Sequence, residues 1–156
     1  STWTFDIDPY TASTEDDAAA YAATYAYHNK QLDSSCVAAH AIDPDVCSTQ
    51  SVVYPYLSTP VFIYRNQRDA TKLPGVGVTQ PFDDNEKAWI NDTYVPALLA
   101  SFSIILDGLF APDKTFHTIV TDAKWFTTSI DGHTASEVFS NWFFGRSGPT
   151  RLIEGE

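Results

Sequence analysis

Two side chains in this chain have the types and the setting for acyl transfer: Asp69 and His117. Asp69 lies in the polar run Arg65 to Thr71 (RNQRDAT), directly after the apolar segment Thr59 to Tyr64. His117 closes the loop that follows a second short apolar segment, Leu109 to Pro112. Open α/β sheets place binding and catalytic groups beyond the carboxyl ends of their strands, so both loops are where reacting groups belong. A carboxylate that accepts a hydrogen bond from one imidazole nitrogen fixes the tautomer, leaves the other nitrogen free to take a proton, and stabilises the imidazolium that forms. The order acid then His puts any nucleophile upstream of both. By pattern alone, surface or capping roles for both residues stand beside this pairing.

The elements that must position them follow from periodicity. Thr59-Pro60-Val61-Phe62-Ile63-Tyr64 is a continuous apolar run of the kind buried on both faces of a parallel sheet, and predicts a central strand. From about Asn85 to Asp107 the apolar positions Trp89, Ile90, Tyr94, Ala97, Leu98, Ile104 and Ile105 recur at three and four, which predicts a long helix bent at Pro96 and capped by Gly108. Leu109 to Pro112 is a very short strand, and Trp125 to Ile130 packs or pairs nearby. Thr134-Ala135-Ser136-Glu137 is a capping-box pattern that opens a helix through Val138, Phe139, Trp142 and Phe143, ended by Gly145. Upstream, alternation of Trp3, Phe5 and Ile7 reads as an opening strand, and Ser13 as the cap of an alanine-rich helix to about Lys30, with His28 on its surface or in packing. Val52 to Leu57 contains Pro55 and reads as irregular or edge structure. Leu73 to Asp84 reads as an exposed excursion. Strands alternating with helices make this α/β, with one domain and no repeat or linker.

Charge and composition narrow the partners. The 156 residues carry nine Lys and Arg against twenty Asp and Glu, a formal charge of −11, which argues against affinity built on phosphate neutralisation and therefore against nucleic acid. At 44% hydrophobic and 14% aromatic residues, the sequence can bury a core. Its longest apolar stretch, Tyr94 to Leu106, is interrupted by Pro96, Ser101 and Ser103 and falls short of the ~20 residues that a bilayer requires. The absence of Met leads to the expectation that upstream polypeptide has been removed or left out.

Cys36 and Cys47 bracket a loop-like stretch with an Asp43-Pro44 step, where a local disulfide fits and two buried thiols are the alternative. Zinc is disfavoured, because only His40 lies between the two and paired C-x2-C spacing is missing. Asn91-Asp92-Thr93 is an N-glycosylation sequon. Together these lean towards a secreted protein. Asp6, Asp8, Asp16 and Asp17 lack a calcium-loop pattern and read as a solvated acidic face. Trp89, Trp125 and Trp142 read as core, His40 as solvent-facing, and His133 as part of a turn leading into the last helix.

Several motifs in order resemble the pectin acetylesterase and Notum family of α/β-hydrolases. Its members carry a T-P-[LV]-F strand, an Asp at a fixed interval after the Pro, and an F-x-P-x-C-x-x-H segment before the last helix. Here Pro60-Val61-Phe62 is followed by Asp69 at that interval, and Phe110, Pro112 and His117 keep register in the second motif. Trp125, Gly132 and Trp142 match the family's W-x6-G-x9-W ending. Ser1 to Asp6 resembles its D-S-G-W-F-L-D strand, and Cys36 to Cys47 its cysteine-bounded loop. Lys114 stands where the family has cysteine, and Asn66, Gln67 and Arg68 make the Asp69 loop more polar than is usual there.

The resemblance implies that the chain is the C-terminal half of an α/β-hydrolase domain, a mostly parallel sheet flanked by helices, with Asp69 and His117 as acid and base of a Ser-His-Asp triad and no cofactor. The family's nucleophilic Ser sits in a G-x-S-x-G elbow upstream of the matching region, and no such motif occurs here; Ser147, in Gly145-Arg146-Ser147-Gly148, reads as a turn residue. The expected partners are therefore the N-terminal half of the same hydrolase, as a separate chain or a missing segment, and an acetylated extracellular polysaccharide. The alternative is a non-catalytic, esterase-like subunit of an extracellular assembly. Alone, the chain is expected to be inactive and poorly folded.

Overall fold

The computed structural model describes residues 3–10, 32–117 and 119–155. The helix expected from Ser13 to Lys30, with Asp16, Asp17 and His28, lies outside the described residues, as does Thr118. In chain order the helices are α1 (Ser34–Ala39), α2 (Gln50–Val53), α3 (Asp84–Trp89), α4 (Val95–Ser101), α5 (Lys124–Thr127) and α6 (Ala135–Phe144). The strands are β1 (Phe62–Tyr64), β2 (Gly108–Ala111), β3 (Ser129–Ile130), β4 (His133–Thr134) and β5 (Arg151–Ile153).

β1, β2 and β5 form one parallel sheet in the order β1-β2-β5, in register Tyr64 opposite Phe110 and Phe110 opposite Leu152. β2 is central, and all four of its residues are buried. Strand alternation divides the side chains between two cores. Ile63, Leu109, Ala111 and Ile153 face a larger cluster with Leu73, Val78, Tyr94, Leu98 and Phe102. Tyr64 and Phe110 face a second cluster with Ile119, Ile130, Ala135 and Val138, against which Phe62, Trp125 and Leu152 pack. Trp89 packs on the first of these, and Trp142 sits 5.5 Å from Phe62 between ring centroids, so the tryptophans serve the core.

Several expectations change. Trp3 is buried and donates from Nε1 to Ser101 Oγ at 2.9 Å, but residues 3–9 are not a strand. The backbone of Thr4 is occupied by helix α2 instead, accepting from Ser51 N and donating to Gln50 Oε1. The apolar alternation is present; among the described residues the ladder is not. Val52 to Tyr56 is helical and only Leu57 is extended, because Pro55 enters the first turn of a 3₁₀ segment, Tyr54–Tyr56, where its missing N–H costs nothing. β1 has β2 on one side and no further strand among the described residues. β5 was not anticipated. The excursion after Leu73 is anchored, since Leu73 and Val78 are both fully buried.

The long helix is interrupted as expected near Pro96, and the interruption is a π-helical turn over Ile90–Tyr94 that precedes it, followed by α4 and a 3₁₀ turn. A proline inside a helix removes a donor and crowds the carbonyl four residues back. Widening the preceding turn relieves that crowding. Gly108 is not a helix cap: it opens β2, and a Cβ there would run into the Phe62 ring at Cδ2 and meet Trp142 Cγ at 2.8 Å. The capping box of α6 is complete, with Thr134 Oγ1 accepting from Glu137 N and the Glu137 carboxylate accepting from Thr134 N. Gly145, at φ 61°, ends that helix in the left-handed region. Cys36 and Cys47 form a disulfide, and both are buried.

Candidate active site

Asp69 and His117 meet. His117 Nδ1 lies 2.7 Å from Asp69 Oδ2, within the range of a charge-assisted hydrogen bond. Asp69 is 2% exposed, whereas the His117 side chain retains 37% of its accessible surface. With Nδ1–H donating to the carboxylate, Nε2 carries the lone pair, and no described residue hydrogen-bonds to it. The arrangement can accept a proton at Nε2 and stabilise the resulting cation through Asp69.

The separation is set by backbone. Beyond the carboxyl ends of β1 and β2 the two loops stay zipped together: Arg65 N donates to Phe110 O, Gln67 N to Pro112 O, Arg68 N to Lys114 O and Ala70 N to Thr115 O. The parallel pairing thus continues in looser form almost to His117, holding both loops as one body. Polar side chains close the remaining gaps. Asn66 Nδ2 donates to Phe116 O, beside His117, and Asn66 Oδ1 accepts from Tyr64 Oη at 2.7 Å. Gln67 Nε2 donates to Ala111 O and to Glu154 O, fastening the Asp69 loop to the centre of the sheet and to the end of β5. Arg68 pairs with Asp113 and reaches Asn91 Oδ1 at 2.9 Å. The polarity of RNQRDAT is therefore mostly internal wiring, since Arg65, Asn66, Gln67 and Asp69 are all buried.

Asp69 is fixed at both carboxylate oxygens. Oδ1 accepts from Thr71 N at 2.9 Å, and Oδ2 accepts from His117 and from Arg65 Nη1, the latter at 3.1 Å. Its main-chain carbonyl accepts from Lys72 N and Leu73 N, turning the chain into the 3₁₀ segment Leu73–Val76. Arg65, 3% exposed, neutralises a carboxylate that would be costly to bury alone, and its Nη2 donates to Tyr94 Oη at 2.6 Å. Burial raises the pKa of the Tyr94 phenol, against the opposing influence of Arg65. Burial also pushes Tyr64 well above the ordinary phenol value, with the Asp69 charge adding to it and the Asn66 hydrogen bond opposing it. Both phenols stay neutral in the working range of an imidazole base.

The remaining candidates stand apart from this pair. Lys114 Nζ lies 3.4 Å from Glu154 Oε1, and Glu154 Oε2 also accepts from Asp113 N, so an ion pair at the end of β5 ties down the loop leading to His117. Ser147 is exposed in the segment between α6 and β5, and His133 is exposed at β4. His40 is half-buried, with Nε2 3.3 Å from Tyr56 Oη, rather than solvent-facing. Asn91 is exposed on the π turn. Asp6 and Asp8 are exposed, and no cluster of metal-ligating side chains occurs among the described residues. Sequence reasoning did not find Arg65 and Tyr94; the i, i+4 spacing of Arg65 and Asp69 was the available signal.

No protein-family model matches the sequence, and no curated protein matches it. Solved structures do. The Wnt deacylase Notum from Drosophila, in two crystal forms, superposes with TM-scores of 0.88 and 0.89 at 22% identity over 99% of this chain. The chain spans 44% of the length of each of those proteins. The fold is α/β, a parallel sheet with flanking helices of the kind expected for the C-terminal portion of an α/β-hydrolase.

Proposed function

We propose that this chain supplies the acid and base of a secreted serine carboxylesterase whose nucleophile belongs to polypeptide outside the 156 residues. The observation that carries the reading is the 2.7 Å bond between a buried carboxylate and a half-exposed imidazole at the ends of neighbouring parallel strands. His117 Nε2 would take the proton from an incoming Ser hydroxyl as its oxygen attacks the ester carbonyl, Asp69 would hold the tautomer and balance the imidazolium, and the same proton would pass to the departing alcohol. Water then repeats the cycle on the acyl-enzyme. The oxyanion donors, like the nucleophile, would come from the completing N-terminal half.

The motifs shared with the pectin acetylesterase and Notum family favour an ester substrate, and the name of the structural neighbours, Wnt deacylase, belongs to the same chemical class. Within that class we assign O-acetyl groups on an extracellular or cell-wall polysaccharide. A buried disulfide, an exposed sequon at Asn91 and the lack, among the described residues, of any helix long and apolar enough to cross a membrane are compatible with secretion.

The test uses the native protein that contains this chain. A serine-directed fluorophosphonate should label one Ser in the polypeptide preceding residue 1, and acetate release from acetylated pectin should disappear in the His117→Gln variant. Absence of labelling together with an upstream Gly, Ala or Asn in place of the Ser would replace the enzyme with a non-catalytic, esterase-like subunit.

A further inference from the structure

We propose that Arg65 is a positioning residue for the base: it acts on His117 through Asp69, and Tyr94 holds it in place. The inference rests on the acid and base reading of Asp69 and His117.

Three donors converge on one buried carboxylate, and two of them share an oxygen. Thr71 N fixes Oδ1, while Arg65 Nη1 and His117 Nδ1 approach Oδ2 at 3.1 and 2.7 Å. The imidazole is the more exposed of the two partners on Oδ2, and it cannot by itself dictate where that oxygen points. Arg65 can, because its own guanidinium is tethered twice, through Nη1 to Asp69 and through Nη2 to Tyr94 Oη at 2.6 Å. A planar fork held at two ends has no rotational freedom left, which is what distinguishes arginine from lysine at such a site. The three anchors come from separate elements: Arg65 follows β1, Tyr94 ends the π turn, and His117 follows β2.

The site keeps this arginine at a cost. Arg65 Nε is buried with no hydrogen-bond partner, the one such side-chain atom among the described residues. A neutral hydrogen-bonding side chain would avoid that unsatisfied donor. It would not supply a fixed positive charge against the Asp69 carboxylate while leaving the His117 side of Oδ2 open. A carboxylate oxygen held in that place accepts and has no proton to give, so the ring nitrogen facing it is Nδ1–H and the free lone pair stays on Nε2, where a nucleophile's proton must go.

The experiment reads the His117 tautomer by 15N NMR in the intact, 15N-histidine-labelled protein at about pH 8, where free imidazole is neutral. His117 is assigned by its loss in His117→Gln. The parent protein should show a single neutral form protonated at Nδ1. Arg65→Gln should convert it to a mixture with the Nε2-protonated form and lower kcat by about 100-fold with little change in KM, as misplacement of a reacting group does. An unchanged tautomer in Arg65→Gln overturns the proposal whatever the rate does. Should that variant fail to fold, Tyr94→Phe removes a single hydroxyl and carries the same test: a mixed tautomer supports the proposal, and a pure Nδ1-protonated form overturns it. A parent protein without the Nδ1-protonated form would refute the acid and base reading itself, an outcome distinct from insensitivity to Arg65.

Discussion

Gly108 and Trp142 pack so closely that a methyl group on Gly108 would stand 2.8 Å from Trp142 Cγ and would also run into Phe62 Cδ2. The contact lies where α6 crosses the start of the central strand, two residues before Phe110 and on the element that leads directly into the His117 loop. Gly108→Ala should destabilise the fold by about 1–3 kcal/mol, the ordinary cost of overpacking. Urea unfolding checks this, and Gly108→Ala combined with Trp142→Leu should recover part of the loss. A Gly108→Ala protein as stable as the parent would show that the approach is not close.

Asp69→Asn keeps the size of the acid and removes its charge. An amide can donate as well as accept, so it no longer enforces the Nδ1–H tautomer of His117. In the enzyme proposed above, kcat for ester hydrolysis should fall by about 10³- to 10⁴-fold. Because Arg65 then loses its buried counter-charge, the variant should also be less stable, by ~3 kcal/mol. Parallel rate and unfolding measurements separate the two effects. Full activity in Asp69→Asn would remove Asp69 from the mechanism.

Alkaline pH should unfold the protein through its buried phenols. The pKa of Tyr64 and of Tyr94 is raised in the folded state, chiefly by burial. Ionisation is then easier in the unfolded chain. The stability contributed by the neutral phenols is fully present below the ordinary phenol value of about 10 and is lost as pH rises from there towards the folded values. Thermal melts between about pH 8 and 11.5 should show a decline beginning near pH 10, shallower in Tyr64→Phe than in the parent. A curve of the same shape in both proteins contradicts this account.

The cap of α6 supports the layer that covers Phe110. Thr134→Ala removes the acceptor for Glu137 N and should cost about 1 kcal/mol in urea unfolding. Thr134→Ser should restore nearly all of it. Equal loss in both would assign the effect to the threonine methyl group.

Reduction of Cys36–Cys47 should lower stability by about 3 kcal/mol, the loop-closure value for a loop this short, if the residual structure of the reduced chain is small. Melts with and without a reductant that enters the fold report it directly.

What the sequence made legible has a local origin. The capping box Thr134 to Glu137 and the Gly145 stop lie within a few residues of each other, and α6 runs between them. The apolar runs around Ile63 and Phe110 became parallel neighbours because continuous hydrophobic segments are stable only when covered on both faces. Asp69 and His117 could be nominated from their places beyond those strands. The rest depended on partners distant in the chain. Gly108 reads as a cap after Ile105 until Trp142 is laid against it. Trp3, Phe5 and Ile7 alternate like a strand, and all three pack on the core, but no ladder partner lies beside them among the described residues and α2 takes the backbone of Thr4. Arg65, in a polar heptad, looks solvated until Tyr94 arrives from the helix. The short β5 has no periodicity of its own; β2 is what makes Arg151 to Ile153 a strand.

The π turn over Ile90–Tyr94 affects how relatives of this chain should be aligned. It inserts an extra residue into one helical turn, so the stretch before it and the stretch from Val95 onward follow different phases of the same spiral. A homologue with an uninterrupted α-helix there would be shorter by one position, and the gap would fall just ahead of the phenol that grips Arg65. In such a homologue the residues after the gap keep their faces, because loss of the wide turn and loss of the residue offset each other; an uninterrupted α-helix of the same length would instead turn them by about 100° around the axis. A single-residue deletion between 90 and 94 is therefore a marker, readable in genomic data without any coordinates, of chains in which this helix runs on without the wide turn.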